Sequence, residues 1–93
     1  MAAGRLADRL AERSGRVVDV TGAPVPDALV AIVASTVPMP EIALLSDTAG
    51  RFAVRLPPGR FTLRAHGAGG TGEVEVDGAP TDHEILIVTE AAK

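Results

Sequence analysis

The chain has 93 residues with a formal net charge of -3 and no cysteine, so one core must form without disulfides or a thiolate metal site. Its acidic balance argues against a nucleic-acid partner, since that binding is driven by basic surface releasing counterions. Aromatic residues make up 2%, only Phe52 and Phe61, which removes the stacking faces that single-stranded nucleic acid and sugar rings dock on.

In chain order, the first element is a short amphipathic helix over Arg5 to Arg13, where Leu6 and Leu10 stand four apart among arginines and acids; Gly15 lies just beyond its end. It forms an N-terminal segment, residues 1–14, ahead of a domain at 15–90. The N-terminal residues lack the continuous apolar stretch of a signal peptide, and no stretch is long and apolar enough to span a membrane. The expected location is the cytoplasm, with a longer exported parent as the alternative.

Beyond Gly15, apolar and polar residues alternate between turn signals, which predicts seven short strands: Arg16 to Val20, Ala28 to Ser35, Glu41 to Ser46, Arg51 to Leu56, Arg60 to His66, Thr71 to Asp77 and His83 to Thr89. This is the pattern of an all-β sandwich. Gly22 and Gly50 follow Asp19 and Asp47 by three residues, as in turns where an aspartate bonds the backbone ahead and glycine takes positive φ. Pro57-Pro58-Gly59 reads as a type II turn, with Pro58 presetting φ and Gly59 at the position that needs φ > 0.

The phrases Gly15-Arg-Val-Val-Asp19-Val-Thr-Gly22-Ala-Pro24-Val-Pro26-Asp-Ala28-Leu-Val30, Asp47-Thr-Ala-Gly50-Arg-Phe52 and Pro57-Pro58-Gly59-Arg-Phe61-Thr-Leu63 together resemble the carboxypeptidase regulatory-like domain, a transthyretin-like module. The resemblance runs from Gly15 to about Thr89. It implies a Greek-key sandwich of about seven strands that assists chemistry done elsewhere, and it implies that the Pro57–Gly59 turn carries the chain from one sheet to the other.

No residue pattern supports catalysis or a cofactor. Gly67-Ala-Gly69-Gly70-Thr-Gly72 has the spacing of a dinucleotide loop, yet a strand follows it, so the helix N-terminus that holds a pyrophosphate is missing. His66 and His83 are the only histidines, and Ser14, Ser35 and Ser46 the only serines; a triad would need them to meet from separate strand ends. A metal site at His83 is disfavoured because alternation sends Asp82 and Glu84 to the opposite face. The hydrolase branch of the transthyretin relatives is excluded by the absence of tyrosine. An isopeptide bond is excluded because there is no asparagine and the only lysine is Lys93.

Two surface features are readable. Val74 and Val76 facing inward turn Glu73, Glu75 and Asp77 outward, while Phe61, Leu63 and Ala65 facing inward turn Arg60, Arg64 and His66 outward, so an acidic row should pair with a basic row. If Ala28, Val30 and Ile32 enter the core, then Leu29, Ala31 and Val33 face away from it, with Leu45 or Ala43 added by the next strand. Ile85-Leu86-Ile87-Val88 is likewise apolar on both faces. A two-sheet sandwich needs one apolar face per strand, so the surplus predicts a covering partner: the N-terminal helix, a second copy in a homodimer, or another protein. The function expected from the sequence is a non-catalytic protein-interaction or accessory module, with a small-molecule or carbohydrate-binding module as the alternative.

Overall fold

In a computed structural model, residues 11–38, 43–78 and 83–91 are described. They form seven strands: β1 (Ala11–Asp19), β2 (Leu29–Ser35), β3 (Ala43–Leu45), β4 (Arg51–Leu56), β5 (Arg60–Gly67), β6 (Gly70–Asp77) and β7 (Ile85–Thr89). One sheet has the order β4-β1-β7 and the other β3-β2-β5-β6. The domain is all-β, and it contains no helix among the described residues. The expected N-terminal helix is therefore corrected where it can be followed: Ala11–Arg13 belong to β1 and pair with Leu56, Arg55 and Val54 of β4. The rest of that segment, residues 1–10, lies outside the described residues.

The alternation inherent in a strand places the core between the sheets. Val17, Leu56, Leu63, Ala65 and Ile87 are completely buried, joined by Val30, Phe52, Val54, Phe61 and Ile85 at 1% to 6% exposure. Threefold alternation in β4, buried at Phe52, Val54 and Leu56 and exposed at Arg51, Ala53 and Arg55, follows directly from the sequence pattern. In β1 the inward positions are Arg13, Gly15 and Val17. The missing side chain at Gly15 is filled by the Phe52 ring of its partner strand, which occupies the space a Cβ would need. Arg13 is buried, and its guanidinium spans the sandwich to donate to the Asp77 carbonyl in the opposite sheet.

Two turns repeat one design. In Asp19–Ala23, Asp19 Oδ1 accepts the amides of Thr21 and Ala23 at 2.9 and 3.1 Å, and its carbonyl accepts the Gly22 amide. In Asp47–Arg51, Asp47 Oδ1 accepts the amides of Ala49 and Arg51 at 2.9 and 2.8 Å, and its carbonyl accepts the Gly50 amide. Both glycines have positive φ, 88° and 76°, which a side chain adopts only under strain.

Asp19 carries a further bond, from the Thr21 hydroxyl at 2.6 Å. That bond first, and then the Thr21 and Ala23 amides, hold its carboxyl below the ordinary value. Because the folded-state pKa is depressed, the stability gained is present above the unfolded pKa and is lost as pH falls through the folded one. Asp19→Ala is accordingly expected to cost stability near neutral pH, with the gap from the parent closing in acid. Melting curves across the acid range check this; a gap independent of pH would show that the carboxylate charge plays no part.

The Pro57–Gly59 connection does pass from one sheet to the other, since β4 and β5 lie in different sheets. Its closure differs from the expected type II turn. Gly59 has φ 145°, and the Arg60 amide, which a closed turn would direct at Pro57, donates to Thr36 Oγ1 at 2.9 Å. The turn is held open by the chain leaving β2 and by Gly78, whose amide donates to the Gly59 carbonyl at 2.8 Å.

Candidate interaction surface

The outer face of the four-stranded sheet divides into two halves by strand. On β5 and β6 the register sets Arg60 opposite Asp77, Arg64 opposite Glu73 and His66 opposite Thr71. Arg64 Nε donates to Glu73 Oε2 at 2.6 Å, and Arg60 reaches diagonally to Glu75 at 3.8 Å. The expected acidic and basic rows are thus neighbours that neutralise each other. These pairs are solvent-exposed, so each contributes well under about 1 kcal/mol.

The other half, on β2 and β3, carries no charge among the described residues. Leu29 stands opposite Leu45 and Ala31 opposite Ala43, so the four form two adjoining rows. Leu29 is 45% exposed and Leu45 62%; Ala31 is half-buried. Val33 extends the patch at 44% exposure, on the outward side that alternation gives it. The ladder between β2 and β5 slips between Ile32 and Ala34, leaving Val33 as the extra residue of a β-bulge. Ala28 and Val30 on the same strand are buried and Ile32 packs against the core, so the assigned orientation of β2 holds up to the bulge.

A second apolar strip lies on the outer face of the three-stranded sheet, at Leu86 (51% exposed) and Val88 (42%). It is narrower, and Arg16, opposite Leu86, carries an ion pair to Glu84 at 3.1 Å.

Among the described residues, chemistry-bearing side chains do not converge. Ser46 is buried, but its hydroxyl donates to the Val25 carbonyl at 2.7 Å and accepts the Ala28 amide at 2.8 Å, so it ties the loop before β2 to the end of β3. Ser35 Oγ donates to the Val37 carbonyl. His66 lies at the Gly67 end of β5, whereas His83 precedes β7 at the other end of the sandwich. Among the described residues there is no group of three side chains suited to a metal ion, and no helix long and apolar enough to cross a membrane.

The glycine run resolves as a two-residue hairpin. Gly67 pairs with Gly70 around Ala68-Gly69, and Gly70 has φ 143°. Its glycines serve a close approach. β7 crosses β6 here, with Thr71 and Glu90 exchanging amide-to-carbonyl bonds of 3.0 and 2.9 Å, and a Cβ on Gly70 or Gly72 would overlap the β7 backbone. From there the two edges diverge and leave a depression of about 410 Å³, lined by Arg13, Val74, Val76, Asp77, Glu84 and Ile85.

Two aspartate-anchored turns and a sheet-switching proline-glycine link on a two-sheet frame define a β-sandwich module. The chain matches the family model of the carboxypeptidase regulatory-like domain over residues 14–89. It belongs to that family, whose members are non-catalytic β-sandwich modules of transthyretin-like fold. A search of curated proteins returns no match to the chain.

Proposed function

We propose that this domain is a protein-interaction module whose contact face is the apolar half of the outer sheet, Leu29, Ala31, Val33, Ala43 and Leu45. The observation that carries the reading is the segregation on that sheet: among the described residues the charged side chains of this face sit on β5 and β6, where Arg60 and Arg64 pair with Glu75 and Glu73, while β2 and β3 present contiguous apolar side chains to solvent. Contiguous patches of this kind mark association sites. A solvated face would instead intersperse polar residues at the outward positions of β2, as β4 and β5 do. The partner tested first is a second copy of the chain, because two such faces cover each other and leave both charged halves in solvent.

Leu29→Glu combined with Val33→Lys is expected to give a folded monomer from an associating parent, as read by light scattering coupled to size exclusion. Since both side chains are nearly half exposed, the variant should melt within about 1 kcal/mol of the parent. A parent that is monomeric at high concentration, with a variant that unfolds, would place both residues in the core and remove the interaction face.

A further inference from the structure

We infer that this domain is built to bear tension along its strands, as a spacer that holds two attached bodies apart under load. The inference rests on the direction of the terminal strands and is independent of the β2–β3 face.

β1 and β7 are parallel neighbours, paired from Gly15 with Ile85 to Asp19 with Thr89. Parallel pairing sends the start of β1 and the end of β7 to opposite ends of the sheet. Any chain or partner attached before Ala11 and another attached after Ala91 therefore pull the two strands past each other, along their own axes. Hydrogen bonds of a ladder lie across the strands, so such a pull loads all five paired positions at once. Were the strands antiparallel, both attachments would leave from one end, and the ladder would open bond by bond.

Three further features resist the sliding. β1 is the central strand of its sheet, and Ala11 to Arg16 are paired antiparallel with Leu56 to Arg51 of β4, so drawing β1 out shears a second ladder simultaneously. At the other end, the exchange of bonds between Glu90 and Thr71 fastens the exit of β7 to the opposite sheet. Between these points Val17 and Ile87, opposite each other, are completely buried, and they keep water from the middle of the loaded ladder.

Absence of cysteine allows attachment points to be placed at will. Two variants of the same protein load the same strand pair in different directions. Glu12→Cys with Ala91→Cys pulls β1 and β7 in shear. Val20→Cys with Ala91→Cys grips both strands at one end and peels them from Asp19 and Thr89 onward. All three substituted residues are exposed, so equal melting temperatures should confirm that both variants are folded. Resistance to force reports the barrier to unfolding, so the comparison is made at matched loading rate. In single-molecule pulling, the shear variant is expected to rupture at a severalfold higher force than the peel variant, in one step that releases the full length between the handles. Equal forces in the two geometries, or stepwise low-force release of β7 in the shear geometry, would overturn the inference.

Discussion

Gly72→Ala is expected to destabilise the domain by about 3 kcal/mol, the upper part of the range for forcing atoms into a packed site. For a chain of this length that lowers the melting temperature by roughly 12 °C or more. The cause is an approach of backbone to backbone. A Cβ at Gly72 would overlap the Val88 carbonyl and lie 3.2 Å from the Thr89 Cα, so β7 must move away from β6. Moving it strains the paired bonds of Thr71 with Glu90, the one place among the described residues where the two sheets are joined through main-chain bonds at this edge. Gly22→Ala supplies the contrast. Gly22 has φ 88° but open space around the position a Cβ would take, so only conformational strain of about 1 kcal/mol is incurred. Thermal melts of the two variants separate the effects. Equal, small losses would mean that β7 does not lie against Gly72.

Phe61→Ala is expected to cost about 3–5 kcal/mol, a large part of the roughly 5–15 kcal/mol that holds a domain of this kind together. Phe61 is 1% exposed and lies on β5, an interior strand of the larger sheet. Its register partners are Ser35 on β2 and Val76 on β6, and Gly78 stands so near the ring that a Cβ there would be 3.1 Å from Cε2. No neighbouring side chain of comparable size can collapse into the space, because those around it are themselves fixed in the two sheets. Urea denaturation should show the midpoint falling with little change in slope. A loss under about 1 kcal/mol would place the ring at the surface and put the register of β5 in error.

Most of the strand plan could be read from sequence because burial and alternation coincide in it. The span of Arg51–Leu56 emerged unchanged, and β5, β6 and β7 moved by two residues or fewer at their ends. The beginning of β1 was misread for a physical reason. Its inward positions hold Arg13 and Gly15, one charged and one without a side chain, so the period-two signal is erased just where Leu6 and Leu10 supply a helical one. What fills those positions comes from elsewhere, the Phe52 ring over Gly15 and the Asp77 carbonyl for Arg13, and neither is visible locally.

The candidate face was legible in outline. Leu29, Ala31 and Leu45 were placed by alternation, and strand pairing brings them together. Val33 was placed outward by the same alternation and is exposed, whereas the bulge at which it sits has no sequence signature, since Ile32-Val33-Ala34 offers no glycine or proline to mark it. The roles of Gly70 and Gly72 were also hidden. A run of glycines reads as a loop, whereas their reason is the close passage of the Val88–Glu90 backbone, which lies well beyond any local window.

If the apolar half of the outer sheet is a contact face, its methyl groups report the contact by nuclear magnetic resonance as the protein is concentrated. Signals of Leu29, Val33 and Leu45 are expected to shift together along one binding curve, while those of Leu86 and Val88 on the opposite sheet stay in place. Methyl signals of Leu29, Val33 and Leu45 that remain fixed to the highest attainable concentration, or a curve traced by Leu86 and Val88 instead, would contradict it.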